Sequence, residues 1–141
     1  MITADFSYEE FERSEAARRR GIVNVIATAE VKENIKSLVE DVLQPLRDAY
    51  EKPLHINSGY RCPELNSLVG GSPSSQHIKG EAADIGCSEP AELAQLACDL
   101  HLPFDQMIVY PGFVHFSHKR SGRQRQQILY AKTYKGDRIK L

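Results

Sequence analysis

Ser75-Gln76-His77-Ile78-Lys79-Gly80-Glu81-Ala82-Ala83-Asp84 is the stretch on which the reading of this chain turns. It sets a histidine and an aspartate seven positions apart, with the small residues Gly80, Ala82 and Ala83 between them. Small side chains let the backbone fold back closely, so a histidine in a loop and an aspartate on a following strand can face one point. Such a pair alone is a weak signal, and its context strengthens it. Downstream, Phe113-Val114-His115-Phe116-Ser117 has the alternation of a strand, which puts His115 and Ser117 on one face and Val114 and Phe116 on the other. An imidazole projecting from a sheet beside Asp84 completes a set of two histidines and one carboxylate. Zinc suits that set, accepting nitrogen and carboxylate oxygen in a tetrahedron whose fourth position is left to water. The ion lowers the pKa of that water to about 7. Upstream, Ser58-Gly59-Tyr60-Arg61 is the third feature of note.

Working outward, Ser7-Tyr8-Glu9-Glu10 has the form of a capping box, with Phe6 and Phe11 at the spacing of a hydrophobic staple. It predicts a helix to about Arg20, stopped by Gly21. Thr28 can cap a second helix, in which Ile35, Leu38, Val39, Val42 and Leu46 form one apolar face and Pro45 should kink or end the run. Leu54 to Asn57 is predicted as a short strand closed by Ser58 and Gly59. The segment Pro63 to Gly80 is polar, Ser- and Gly-rich, and long for a loop, a length that commonly signals function. Asp84-Ile85-Gly86 follows as strand. Ser88 precedes a short helix with Leu93, Leu96, Ala97 and Leu100 facing inward. Three β-type runs close the chain: Gln106 to Tyr110, Phe113 to Ser117 and Gln127 to Ala131. Pro111-Gly112 should pair the first two as a hairpin. The expectation is one α+β domain over residues 1–141, with N-terminal helices packed on a small antiparallel sheet.

A chain of 141 residues with 41% hydrophobic residues can bury a core. A net charge of -1 gives no overall pull toward nucleic acid or anionic membrane. After His118, however, Lys119, Arg120, Arg123, Arg125, Lys132, Lys135, Arg138 and Lys140 face only Asp137. This basic end suits an anionic wall polymer, a nucleic-acid backbone or simply water; nucleic acid rests on composition only. Cys62, Cys87 and Cys98 are an odd count with no Cys-x-x-Cys pair, so reduced thiols are expected. No charged start leads into an apolar stretch, and no apolar run approaches the ~20 residues of a membrane span. We therefore expect synthesis in the cytoplasm, with some other agent carrying the protein to any substrate outside the membrane.

Taken together, Ser58-Gly59-Tyr60-Arg61, the Ser75 to Asp84 run and the later His115 resemble the D-Ala-D-Ala carboxypeptidase family of zinc peptidases, whose metal-binding fold is shared with hedgehog signalling domains. Leu65-Asn66 through Gly70-Gly71 and the opening Phe6-Ser7-x-x-Glu10-Phe11 resemble its phage and bacterial branch. The resemblance implies one zinc ion on His77, Asp84 and His115. It also implies that Arg61 grips a substrate carboxylate or polarises the scissile carbonyl, and a guanidinium fork suits either task. Ser75 would donate a hydrogen bond nearby or simply form a turn. The implied activity is hydrolysis of the peptidoglycan stem peptide by zinc-bound hydroxide, as a carboxypeptidase or endopeptidase. A phage lysis protein released through a membrane pore, or an enzyme of muropeptide recycling, fits that activity.

The family places a carboxylate base shortly before the final histidine. Here Gly112 stands three residues ahead of His115, and Tyr110 ends the preceding strand. A phenol is a poor base at neutral pH but can donate to an oxyanion. Asp105 and Glu81 are the substitute acids, with a strand-start cap and a solvated side chain as their plainer roles. Without a base, the chain would be a zinc-containing module that binds wall peptide or a protein partner. Of the other histidines, His55 reads as a half-buried strand residue, His101 as a helix C-terminal cation, and His118 as exposed on the face opposite His115.

Overall fold

Capping decides where the first helices begin and stop. A computed structural model describes residues 1–141. In it the Glu10 N–H donates to Ser7 Oγ at 3.3 Å, and the Ser7 N–H donates to Glu10 Oε1 at 2.9 Å. This reciprocal pair opens α1 (Tyr8–Glu12), and Phe6 and Phe11 beside it are buried. The helix predicted to reach Arg20 is instead two. Arg13 is extended, and Ser14 caps α2 (Glu15–Arg20) by accepting the Ala17 N–H at 3.1 Å. A serine hydroxyl competes for backbone donors in this way, which is why it favours caps over helix interiors. Gly21 ends α2 at φ 67°.

Thr28 caps α3 (Ala29–Leu38), a π-helical turn follows at Val39–Leu43, and α4 (Gln44–Tyr50) completes the run. Ile35, Leu38, Val39, Val42 and Leu46 are wholly buried, as their spacing predicts. Pro45 does not end the helix. A proline withholds an N–H and its ring crowds the carbonyl four residues back. The wide turn just before it changes the ladder first, with the Gln44 N–H reaching Val39 O, so the missing donor falls where the register is already relaxed.

The strands are β1 (His55–Ser58), β2 (Ala82–Gly86), β3 (Gln106–Val109), β4 (Phe113–Ser117) and β5 (Gln127–Tyr130), in the sheet order β1-β2-β4-β3-β5. β3 and β4 form the predicted hairpin. The sheet is not wholly antiparallel, however: β5 runs parallel to β3. β4 carries the chain back to the start of β3, and residues 118–126 cross that end to enter β5 on the far side. The returning strand replaces the long crossover that a parallel pair otherwise needs. Two more differences concern helices. α5 (Pro63–Leu68) lies inside the predicted loop, and α6 (Pro90–Asp99) begins after Glu89 rather than Ser88. Leu93, Ala94 and Ala97 face inward from α6, while Leu100 lies past its end and is exposed.

Phe11, Ile35, Leu38 and Leu46 from the helices meet Ala83, Ile85, Met107, Val109, Val114 and Phe116 from the sheet in one buried cluster. Alternation then leaves Asp84, Ile108 and His115 on the other face of the sheet. The three cysteines are free thiols, and no helix is long and apolar enough to cross a membrane. His55 is exposed rather than half-buried. His118 is buried, not exposed: Nδ1 lies 2.6 Å from Pro103 O, and Nε2 lies 3.0 Å from Asp41 Oδ2. Strand alternation stops at Ser117, so the face assigned to His118 by counting did not extend to it.

The 118–126 crossing is locked by Asp105, whose side chain is wholly buried at the start of β3. Its Oδ1 accepts the Arg125 backbone N–H at 2.7 Å, and its Oδ2 accepts Arg125 Nη2 at 2.9 Å. Gln126 follows at φ 55°, its amide donating to the Leu102 and Phe104 carbonyls. Burial pushes the Asp105 carboxyl up, but the hydrogen bonds from Arg125 outweigh it and hold the group below its ordinary value. A carboxyl depressed in the folded state contributes stability above its unfolded pKa of about 3.9 and loses it as pH falls through the folded value. Asp105→Asn should therefore cost about 2 kcal/mol at neutral pH. In urea melts the gap between the two proteins should narrow as pH drops from about 5 to about 3. A gap unchanged over that range would rule out the lock.

Candidate metal centre

Two glycines bring the histidine loop against the sheet. A Cβ on Gly59 would lie 2.8 Å from Phe11 Cα, so only glycine lets this turn rest on α1, where the Tyr60 N–H donates to Phe11 O at 2.8 Å. Gly80 sits at φ +75°, and a Cβ there would strike Val31 O at 2.7 Å. That left-handed residue returns the chain from His77 to β2. Between the two turns, the Arg61 N–H donates to His77 O at 3.2 Å.

The turn at Gly59 also fixes the His77 ring. Its Nδ1 lies 2.7 Å from Gly59 O, and a carbonyl can only accept, so Nδ1 carries the proton. Nε2 faces Asp84 Oδ1 at 3.5 Å. From the other side, His115 Nδ1 lies 2.8 Å from Asp84 Oδ1, because β2 and β4 pair Asp84 directly with His115. One potential ligand atom from each of His77, Asp84 and His115 lies within 4.8 Å of the others. Burial pushes the Asp84 carboxyl up, but the imidazoles of His115 and His77 beside it outweigh burial and hold it well below the usual carboxylate range. Two imidazoles and an ionised carboxylate, with one ring held by a backbone carbonyl, are the donor set and the supporting bond that a divalent cation such as zinc takes. The residues present fit the metal that the sequence implies.

These side chains lie in an open groove of about 770 Å³, which is also lined by Arg61, Ser75 and Tyr110. Arg61 is pinned by Ser58 Oγ and Asn66 Oδ1, each at 3.3 Å, and its Nη2 is 3.8 Å from Asp84 Oδ2. Asn66 is buried in turn, donating to Ser72 O at 2.8 Å. Sequence reading did not single out this support, although Leu65-Asn66 stands in the stretch that carries the family resemblance. Ser75 Oγ accepts the His77 N–H at 3.2 Å, a turn contact, while the residue also lines the groove. Tyr110 stacks on Phe113 with ring centroids 4.2 Å apart. Burial, and then the charge of Asp84, raise its phenol above the ordinary value.

Asp105 is not brought to the cluster. Its carboxylate is occupied by Arg125 and by the amide of Gln76 at 3.2 Å. Glu81 does line the groove, accepting from the same amide at 3.4 Å. A wider cleft of about 1070 Å³, between the start of α6 and the C-terminal residues, holds no histidine.

Residues 4–118 match a family model described as Peptidase M15. The zinc D-Ala-D-Ala carboxypeptidase of Streptomyces albus G is 34% identical over 86 residues, which cover 59% of this chain and 34% of that protein. The match thus spans about a third of the relative's length. The family match encloses Arg61, His77, Asp84 and His115 and stops where the basic end begins. On a match over most of its length, the chain belongs to the peptidase M15 family.

Proposed function

We propose that this chain is a zinc peptidase that hydrolyses a D-Ala peptide bond in peptidoglycan stem peptides, with the carboxypeptidase reaction favoured by the Streptomyces relative. The observation that carries this reading is the convergence of His77, Asp84 and His115 in an open groove beside Arg61. In the proposal those three residues hold one zinc ion. When bound, zinc supplies Lewis acidity and lowers the pKa of a water to about 7.

The protein's own groups do the rest. The Gly59 carbonyl keeps the His77 ring from turning away, and β2–β4 pairing keeps His115 against Asp84. Arg61 receives the terminal carboxylate or the developing oxyanion; held by Ser58 and Asn66, it loses little freedom on doing so. Tyr110 keeps its proton at neutral pH, because a phenol ordinarily loses it only near pH ~10. It therefore acts as a hydrogen-bond donor to the substrate rather than as a base. Asp105 serves as an anchor for Arg125 and takes no part in proton transfer.

A second reading, a zinc-containing module that binds wall peptide without turnover, is favoured by Tyr110 standing where the family carries an acid. Incubation of the zinc-loaded protein with intact peptidoglycan and with an acyl-D-Ala-D-Ala peptide separates the two. The enzyme reading predicts released D-Ala or new amino groups, lost on chelation and restored by zinc. A metal-loaded protein that binds these substrates and releases nothing leaves only the module.

Given turnover, Arg61→Lys should lower kcat/KM by roughly a hundredfold, since an ammonium cannot reproduce the fork. Tyr110→Phe should lower kcat by about tenfold with little change in KM, as expected for one transition-state hydrogen bond. An unchanged kcat in Tyr110→Phe would remove Tyr110 from the mechanism.

A further inference from the structure

The groove is not symmetric about the proposed metal ligands. Strand register orders its floor in rows. Tyr110 and Phe113 form one end, Asp84, His115 and Ile108 the middle, and Ala82, Ser117 and Gln106 the row beyond. Lys119 and Arg125 lie past that last row, and Lys79 lines the same groove. One end is therefore aromatic and the other basic.

At the basic end the positive charges exceed their partners. Asp84 belongs to the ligand cluster, Asp105 is occupied by Arg125, and Glu81 takes the Gln76 amide. Lys79 is exposed and forms no ion pair. Lys119 Nζ lies 3.9 Å from Asp105 Oδ1, beyond hydrogen-bond reach, and that oxygen already accepts the Arg125 N–H. The backbone that presents Lys119 is nevertheless fixed. Gln124 donates to Lys119 O at 2.6 Å and accepts the Lys119 N–H at 2.9 Å, and the next residue but one, Gln126, is held in the left-handed conformation described above. Arg120 is tied to Asn34 at 3.0 Å. An ordered backbone thus presents an ammonium whose acidic neighbour, Asp105, is 3.9 Å away and already engaged by Arg125, in a groove that Lys79 also lines.

We propose that Lys79 and Lys119 form a carboxylate subsite, which reads an acidic residue of the bound peptide on the side of the scissile bond away from Tyr110. The subsite rests on the proposed peptidase reading and specifies its substrate as an acidic peptide. Lys119 follows the end of β4, past the row of the proposed metal ligands, so the carboxylate it meets belongs to a residue beyond the two joined by the scissile bond.

The test uses the zinc-loaded full chain and two peptides, acyl-Glu-Lys-D-Ala-D-Ala and its Gln counterpart, titrated while the backbone amides of Lys79 and Lys119 are followed by NMR. The Glu peptide should bind roughly three- to tenfold more tightly at low salt. It should shift both amides, and its advantage should shrink at high salt. The Lys79→Gln/Lys119→Gln double variant should bind the two peptides equally. Equal affinities in the unaltered protein, or an advantage that survives in the double variant, would overturn the subsite. Cleavage of both peptides without preference removes the subsite and leaves the peptidase. Preference for Glu without cleavage keeps the subsite and removes hydrolysis, and binding of neither peptide removes both.

Discussion

The Nδ1 proton of His77 rests on the carbonyl of Gly59, and much of the site depends on that contact. It selects the tautomer in which Nε2 points toward Asp84, and it ties the Ser- and Gly-rich loop to the turn that delivers Arg61. The bond exists because Gly59 has no side chain to push the turn off α1. A glycine at one position thus sets a histidine tautomer at another, through backbone proximity alone. The opposite half of the cluster needs no such device, since adjacent strands bring Asp84 and His115 together by register.

Electrostatics then divides the groove. Asp84 is the acid that converging imidazoles keep ionised, and Arg61 stands beside it without making a close ion pair. The second aspartate, Asp105, looks in sequence like a spare catalytic acid, but its buried carboxylate closes the loop that crosses beneath β3. Arg125 takes its closest contacts and leaves Lys119 3.9 Å away, so one ion pair, buried on the aspartate side only, shapes both the fold and the charge of the site's far end.

The local pieces of the fold were legible because each has a short-range cause. The Ser7–Glu10 box, the Thr28 cap, the apolar stripe from Ile35 to Leu46 and the Pro111-Gly112 hairpin follow from residues within one or two turns. What was not legible depends on distant partners. β5 lies parallel to β3 because the chain crosses an intervening strand, and nothing in Gln127 to Tyr130 records that. The Ser14 break was missed because a serine in an otherwise helical run has two uses. α5 was hidden because its buried face includes Asn66, whose partners are Arg61 and Ser72. The approach of His77, Asp84 and His115 was expected from strand alternation and small residues. The supports of Arg61, the burial of His118 and the confinement of Asp105 required the structure.

Whether His77, Asp84 and His115 together hold one zinc ion is read from anomalous diffraction at the zinc edge from crystals of the zinc-loaded protein. A single strong peak is expected within ~2.0–2.2 Å of His77 Nε2, an Asp84 oxygen and His115 Nδ1, with the His77–Gly59 bond intact. No peak there, or zinc held instead by Cys62 or Cys87, would contradict that zinc site.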